Sequence, residues 1–296
     1  MNLPSINLLT SPGWKDYELV DSGNGSKLER YGSYLIKRPE PEAIWSPSKP
    51  EKIWNQIHAE FLPTAEKNGG HWIEHRPMEE RWKMQYKNLT FWAQKSASRH
   101  LGVFPEQAVQ WDWIQQQASI PNVRLNVLNL FGYTGIASLA AAKAGAFVSH
   151  LDASRKVNQW GQENQALSGI SDQSIRWLVD DAFKFVKREI RRNSKYDGII
   201  LDPPKFGRGP KGEVWEFYKI LPDLLDSCRQ ILSDKPIFIL ITAYAIKASS
   251  LTLYYGLEEM MRKHKGTTSV GEVVLSEKNG KNAISMAIYG RWSSLS

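Results

Sequence analysis

The feature that most constrains this chain is a change of pattern near residue 124. Beyond it, apolar runs at 125–130, 146–151, 175–179, 198–201, 237–241, 270–275 and 283–288 read as strands. Segments 135–144, 155–166, 182–190 and 214–232 read as helices between the first five strands, and Pro222 is expected to kink or restart the last helix. Such alternation places parallel strands in one sheet, with helices covering both faces. Ligands then bind at the carboxyl ends of the strands, near the point where strand order reverses. Functional residues are therefore expected just after each apolar run.

The first hundred residues follow another pattern. Short strand-like stretches at 17–20, 28–31, 34–37, 71–75, 82–86 and 89–93 are joined by turns such as Asp21-Ser22-Gly23-Asn24-Gly25-Ser26, whose Gly and Asn tolerate positive φ. A Pro-rich loop covers 38–50, and Ile53, Trp54, Ile57 and Phe61 fit a helical period. Eight of the twelve tryptophans lie between Trp14 and Trp113; core packing of a small domain is the expected use, base stacking the rival one. The expected division is a β-rich domain over 1–105 and an α/β domain over 106–296.

Composition limits the function classes. One cysteine in 296 residues excludes an internal disulfide framework and a multi-cysteine zinc site. The first ten residues lack a basic region and cleavage site, so no signal peptide is expected. The longest apolar stretch, 136–148, contains Lys143 and falls short of the ~20 residues of a membrane span. A cytoplasmic location is expected, with no membrane and no metal. Residues 1–115 carry 14 Lys/Arg and 14 Asp/Glu, whereas 116–296 carry 24 and 17, so the net +7 resides in the C-terminal part. That balance favours a polyanionic partner such as RNA.

Three strand ends carry unusual residues. After the first run, Phe131-Gly132-Tyr133-Thr134-Gly135 leads into an alanine-rich helix. Its glycines permit a tight turn, Thr134 reads as the N-cap, and the helix amino end offers N–H groups to a carboxylate. The second strand ends at Asp152, twenty residues after Gly132, where a carboxylate can accept hydrogen bonds from ribose hydroxyls in either a nicotinamide or an S-adenosylmethionine (SAM) site. The third ends at Asp180-Asp181-Ala182-Phe183, and Asp181 is the better candidate for an adenine amino group. Each Asp also reads as a helix cap needing no ligand; their joint register favours the ligand.

The fourth strand ends in Asp202-Pro203-Pro204-Lys205-Phe206. Two prolines fix φ and leave carbonyls without ladder partners, a rigid edge for a planar, amino-bearing substrate. With the turn at 130–135, Asp152 and the acid pair at 180–181, this motif resembles the class I SAM-dependent methyltransferases. It is most similar to a bacterial family of large-subunit rRNA methyltransferases that modify cytosine C5 or guanine N7. The resemblance covers about 100–292. It implies a Rossmann-like seven-stranded domain with an antiparallel last strand, SAM as cofactor and RNA as substrate. It also implies that the preceding β-rich α+β domain assists RNA binding, and that Gly102-Val103-Phe104-Pro105-Glu106-Gln107 is a loop approaching the cofactor.

The chain departs from the cytosine-C5 members in lacking their thiol. The stretch after the fifth strand reads Ile241-Thr242-Ala243-Tyr244-Ala245, and Cys228 falls on an apolar helix face with Leu221, Leu224 and Leu225. Methylation at a nitrogen, which needs no protein nucleophile, is expected instead. Asp202 and the Pro203 carbonyl are the candidates to orient the substrate, Phe206 or Tyr244 to stack on it, and Lys205 to hold a phosphate or base. The rival readings are a protein side-chain methyltransferase, a nicotinamide-dependent oxidoreductase and a non-catalytic RNA-binding protein.

Three other patterns are set aside. Gly207-Arg208-Gly209-Pro210-Lys211-Gly212 matches a dinucleotide fingerprint by letter but follows the wrong strand, and reads as a mobile basic loop near the substrate. His71-Trp72-Ile73-Glu74-His75 has zinc-site spacing but no helix to align its imidazoles. The basic run from Lys184 to Lys195 reads as a solvated helix end.

Overall fold

In the computed structural model, which describes residues 3–11, 13–64, 69–278 and 282–295, the chain opens with strand β1 (Ile6–Leu9). There follow β2 (Tyr17–Gly23), β3 (Ser26–Tyr31), β4 (Tyr34–Pro39), the one-turn helix α1 (Glu51–Trp54), β5 (Ala59–Pro63), β6 (Gly70–Glu74), β7 (Arg81–Tyr86) and β8 (Leu89–Gln94). Strands β2 to β6 form a five-stranded sheet in sequence order, and β7 and β8 form a separate hairpin. Asn24 and Gly25 close the β2–β3 hairpin at φ 49° and 72°, the left-handed pair such a turn demands. The helical period read over 53–61 yields only α1. Phe61 lies in β5, buried like Ala59 with Glu60 between them, because antiparallel pairing with β6 overrides a short periodic run.

Beyond these strands come α2 (Ala108–Ala118), β9 (Asn126–Leu130), α3 (Ile136–Lys143), β10 (Phe147–Asp152), α4 (Arg155–Leu167), β11 (Ile175–Val179), α5 (Ala182–Arg191) and β12 (Gly198–Leu201). The chain continues through a short hairpin, β13 (Phe206–Arg208) and β14 (Val214–Glu216), to α6 (Phe217–Gln230), β15 (Phe238–Ala243), α7 (Ser250–Met261), β16 (Thr267–Ser276) and β17 (Ala283–Ser293). The helix expected over 214–232 therefore starts three residues late, and it runs through Pro222.

One eight-stranded sheet has the order β1-β16-β17-β15-β12-β9-β10-β11. Strands β1 and β16, β15 and β12, β12 and β9, β9 and β10, and β10 and β11 pair in parallel, whereas β17 runs antiparallel to β15, as the resemblance implied. All seven expected strands are present, in a Rossmann-like α/β arrangement, and β1 adds an eighth at one edge. Strands β12 and β15 are buried along their whole length, which is what helices on both faces require. Order reverses between β9 and β12, which are adjacent in the sheet although the chain visits β10 and β11 between them. That is the switch point, and the turns after β9 and β12 flank it.

Two compact units result: Met1–Leu9, Val109–Val273 and Met286–Ser296 form one, Thr10–Ala108 and Val274–Ser285 the other. In the second, Trp14 packs on Tyr17, Tyr86 and Phe91, and Trp72 packs on Phe61. Trp82 is buried, and Trp14, Trp45, Trp54 and Trp72 donate their indole N–H to protein acceptors. No described helix is long and apolar enough to cross a membrane.

Candidate active site

The turn between β9 and α3 rests on two aromatic rings. A Cβ on Gly132 would fall inside the imidazole of His150, and one on Gly135 would meet the indole of Trp177. His150 and Trp177 themselves pack with centroids 4.3 Å apart. His150 is fully buried beside a chain of hydrogen bonds: Asn129 Nδ2 donates to Ser138 Oγ at 2.8 Å, and Ser138 Oγ lies 2.9 Å from His150 Nδ1. Burial pushes the imidazole down to about 3, so it is neutral at physiological pH. Gly135, at φ 82°, is itself the N-cap of α3, which corrects the expectation for Thr134: that residue is buried, and its carbonyl accepts from Asn164 Nδ2 at 3.0 Å. Phe131 and Tyr133 also adopt positive φ, 59° and 50°, without being glycine. Strain of this kind persists only where the surroundings over-determine the backbone, and it gathers at ligand sites.

Asp152 ends β10 beside that turn. Its Oδ2 accepts from the Tyr133 N–H at 3.0 Å and its Oδ1 from the Ser154 N–H at 2.9 Å, so one carboxylate fixes both loops. Burial pushes its pKa up, against the lowering effect of those hydrogen bonds. The next strand end lies alongside, with the Asp180 N–H donating to the Asp152 carbonyl at 3.3 Å. Asp180 is committed elsewhere: it pairs with Arg188 and accepts from the Asp181 N–H at 2.8 Å. Asp181 caps α5 through one oxygen, Oδ1, which accepts from Lys184 N at 2.8 Å, and Ala182 is the first helical residue. Asp181 is thus a helix cap, as the plainer reading had it, and its second oxygen keeps the ligand reading open.

At the end of β12 the Asp202 N–H donates to the Leu130 carbonyl at 3.3 Å, joining the proline edge to the strand that precedes the glycine turn. The Tyr244 hydroxyl, from the end of β15, lies 3.4 Å from Asp202 Oδ2. Pro203 is buried; Pro204, Lys205 and Phe206 are exposed. Neither proline carbonyl takes part in the described strand pairings, and the Pro204 carbonyl is instead held by a side chain, accepting from the Trp215 indole at 2.6 Å. Trp215 also packs on Phe131, centroids 4.8 Å apart, so one buried side chain touches both the glycine turn and the proline edge.

Phe131, Gly132, Tyr133, Thr134, Gly135, Asp152, Asp181, Ala182, Asp202, Pro203 and Tyr244 all lie at, or directly after, the carboxyl ends of β9, β10, β11, β12 and β15. His150, Trp177 and Trp215 were not foreseen, and Arg188, read as part of a solvated basic helix end, instead pairs with Asp180. The only sequence signal for the first two was a bulky ring at mid-strand opposite glycines. Cys228 is fully buried and its thiol is pushed up strongly by burial. Within the basic run, Lys184, Arg188 and Arg192 are held by Glu213, Asp180 and Glu189. The segment with zinc-like spacing is mostly strand β6, with His75 Nε2 3.1 Å from Glu60; among the described residues no His/Cys/Asp/Glu group is placed to hold a metal.

Residues 44–253 match the family described as S-adenosylmethionine-dependent methyltransferase. The chain belongs to that family. A SAM-dependent methyltransferase from Agrobacterium tumefaciens, known from its crystal structure, superposes with a TM-score of 0.93 at 44% identity, covering 98% of this chain and 95% of the other. Ribosomal RNA large subunit methyltransferase K/L of Shewanella frigidimarina is 36% identical over 110 residues, which are 36% of this chain and 15% of that protein. Ribosomal RNA large subunit methyltransferase I of Shewanella denitrificans is 39% identical over 82 residues, 27% of this chain and 21% of that one. The matched stretches thus span about a fifth or less of these curated relatives. SAM is the family's cofactor, and the residues fit it. The helix amino end after the strained turn would receive its carboxylate, Asp152 would use its remaining lone pairs for ribose hydroxyls, and the Asp181 oxygen not used in capping would accept from the adenine amino group.

Proposed function

We propose that this chain transfers a methyl group from SAM to a nitrogen of an RNA base, and that the RNA is ribosomal and the reaction cytoplasmic. The observation that carries the reading is the proline edge at the switch point, where Asp202 meets the Tyr244 hydroxyl and no thiol stands nearby. The RNA part is supported by the curated relatives' names and by the positive balance of residues 116–296.

When bound, SAM supplies an electrophilic methyl on its sulfonium. The acceptor nitrogen would gain an N–C bond as the S–C bond breaks and S-adenosylhomocysteine leaves, any displaced N–H proton passing to solvent, so the protein's task is to hold acceptor and methyl ~3–3.5 Å apart. Asp202 accepts a hydrogen bond from the base's amino group and the Pro203 carbonyl accepts a second; Tyr244 steadies the carboxylate. Phe206 stacks on the base, and Lys205 holds a phosphate.

The test is methyl transfer from labelled SAM to total RNA of a strain lacking the gene, followed by nucleoside mass spectrometry. An N-methylated nucleoside is expected. Methyl acceptance that survives RNase would instead favour a protein substrate and overturn the reading. In Asp202→Ala, kcat should fall at least about tenfold while SAM affinity stays within about threefold; undiminished turnover would remove Asp202 from the mechanism.

A further inference from the structure

The segment 204–219 carries four cations and two acids, and both acids are already used. Glu213 Oε1 pairs with Lys184 Nζ at 2.7 Å, while its Oε2 accepts from the Lys211 N–H at 2.9 Å and closes the turn of the β13–β14 hairpin. Glu216 pairs with Lys219 at 2.8 Å. Among the described residues this leaves Lys205, Arg208 and Lys211 without a carboxylate partner, all three exposed.

The hairpin also has two distinct faces. Its cross-strand pairs are Phe206 with Glu216, Gly207 with Trp215, and Arg208 with Val214. Side chains alternate along a strand, so Trp215, buried and bonded to Pro204, defines the inner face with Gly207. The outer face then carries Phe206, Arg208 and Val214 together with Glu216, whose carboxylate is taken up by Lys219, and Phe206 is 56% and Val214 47% exposed. The basic segment is therefore not a loose loop but a braced hairpin, anchored by Trp215 at one end and closed by Glu213 at the other. The outer face sets an aromatic ring beside Arg208, and the adjoining turn adds Lys211, the combination that binds a single strand by stacking and phosphate contact.

We infer that this hairpin is a docking surface for the single-stranded RNA flanking the target nucleotide, with Arg208 and Lys211 contacting two phosphates of that strand. The inference rests on the reading that RNA is the substrate. It extends that reading from the base held at the proline edge to the strand leading away from it, since Phe206 follows the edge directly. Charge complementarity selects the occupant: an acidic protein would meet the cations but make no use of the ring that accompanies them.

The test uses the full chain and a fluorescein-labelled oligouridine, with binding measured over a series of salt concentrations. Each phosphate contact contributes about 0.7 to the log–log salt slope on single strands, so Arg208→Gln with Lys211→Gln should lower the slope by about 1.4. A control, Lys263→Gln with Lys265→Gln, removes the same charge from exposed positions elsewhere and should leave the slope unchanged. On ribosomal RNA from the deletion strain, the hairpin variant should raise KM about tenfold, with kcat and SAM affinity within about twofold of wild type. An unchanged slope, an equal fall in the control, or wild-type binding confined to duplex RNA or to ribosomal proteins would overturn the inference. If the slope falls as expected but no RNA accepts a methyl group, the docking surface stands and the proposed reaction fails.

Discussion

Gly132 has almost no freedom to change, because the ring of His150 occupies the place where a side chain would begin. Neither partner can easily retreat: His150 is held by Ser138 on one side and by Trp177 on the other. Gly132→Ala must therefore shift the turn, and overpacking of this kind costs about 1–3 kcal/mol. The cost falls on the loop that Asp152 fixes through Tyr133, so SAM affinity should drop by more than about tenfold while secondary structure is retained. Calorimetric titration with SAM checks this, and binding within twofold of wild type would contradict it. The places of the glycine turn and of Asp152 at strand ends were legible in the sequence, because alternating apolar runs and helical segments fix where parallel strands stop. His150 and Trp177 were not, since mid-strand rings read as core until the residues facing them are known. Asp181 was legible only as a choice between cap and ligand, and the structure shows it capping α5.

At the scale of elements, every expected strand of the larger sheet formed where apolar runs predicted it, because burial on both faces writes itself as an unbroken apolar stretch. The errors came where long-range partners decide local structure. Residues 214–216 are strand because Trp215 reaches Pro204 and Val214 pairs with Arg208, neither of which helical periodicity can register. The joining of β3 and β4 was equally hidden: Glu29 and Arg38 form a buried ion pair at 2.7 Å, with Tyr17 donating to Glu29 at 2.8 Å. Burial alone would push the Glu29 pKa up, but the charges of Arg38 and Lys27 and the hydrogen bonds outweigh it and hold the group at about 2, below its ordinary 4.5. Its contribution to stability is therefore complete above pH 4.5 and is lost as pH falls toward 2. His100 and His150, pushed down to about 3 by burial, act in the same sense below their ordinary 6.5, whereas Asp152 and Glu106, raised by burial, act against it. Glu29→Gln strands Arg38 in the interior and should cost about 3–5 kcal/mol at neutral pH. It should also flatten the loss of stability between pH 4.5 and 2, as read from urea unfolding at a series of pH values; parallel curves for variant and wild type would remove Glu29 from the acid response.

For the whole molecule, the boundary between its units is not one cut in the sequence. A division at 105–106 is the natural reading of the change in pattern, yet β1 pairs in parallel with β16, in register from Ile6 opposite Val270 to Leu9 opposite Val273. In the other direction, Val274–Ser285 belongs with Thr10–Ala108, where Glu277 is buried, bridges Leu19 and accepts from Ser22 Oγ at 2.7 Å. A fragment spanning 106–296 would thus lose the strand that covers the β16 edge and leave the Glu277 carboxylate without its Ser22 donor. An uncovered edge is a template for association, and a buried acceptor stripped of its donor costs about 1–3 kcal/mol. The residues proposed for SAM, 131–135, 152 and 181–182, and those proposed for the substrate, 202–203 and 244, would all remain in the fragment. The expected outcome is a fragment that elutes as oligomers and melts well below the full chain, yet is raised in melting temperature by SAM when kept soluble. Size-exclusion chromatography and thermal melting with and without SAM measure both properties. A monomeric fragment as stable as the full chain would mean that neither β1 nor the Ser22–Glu277 contact contributes to holding the sheet together.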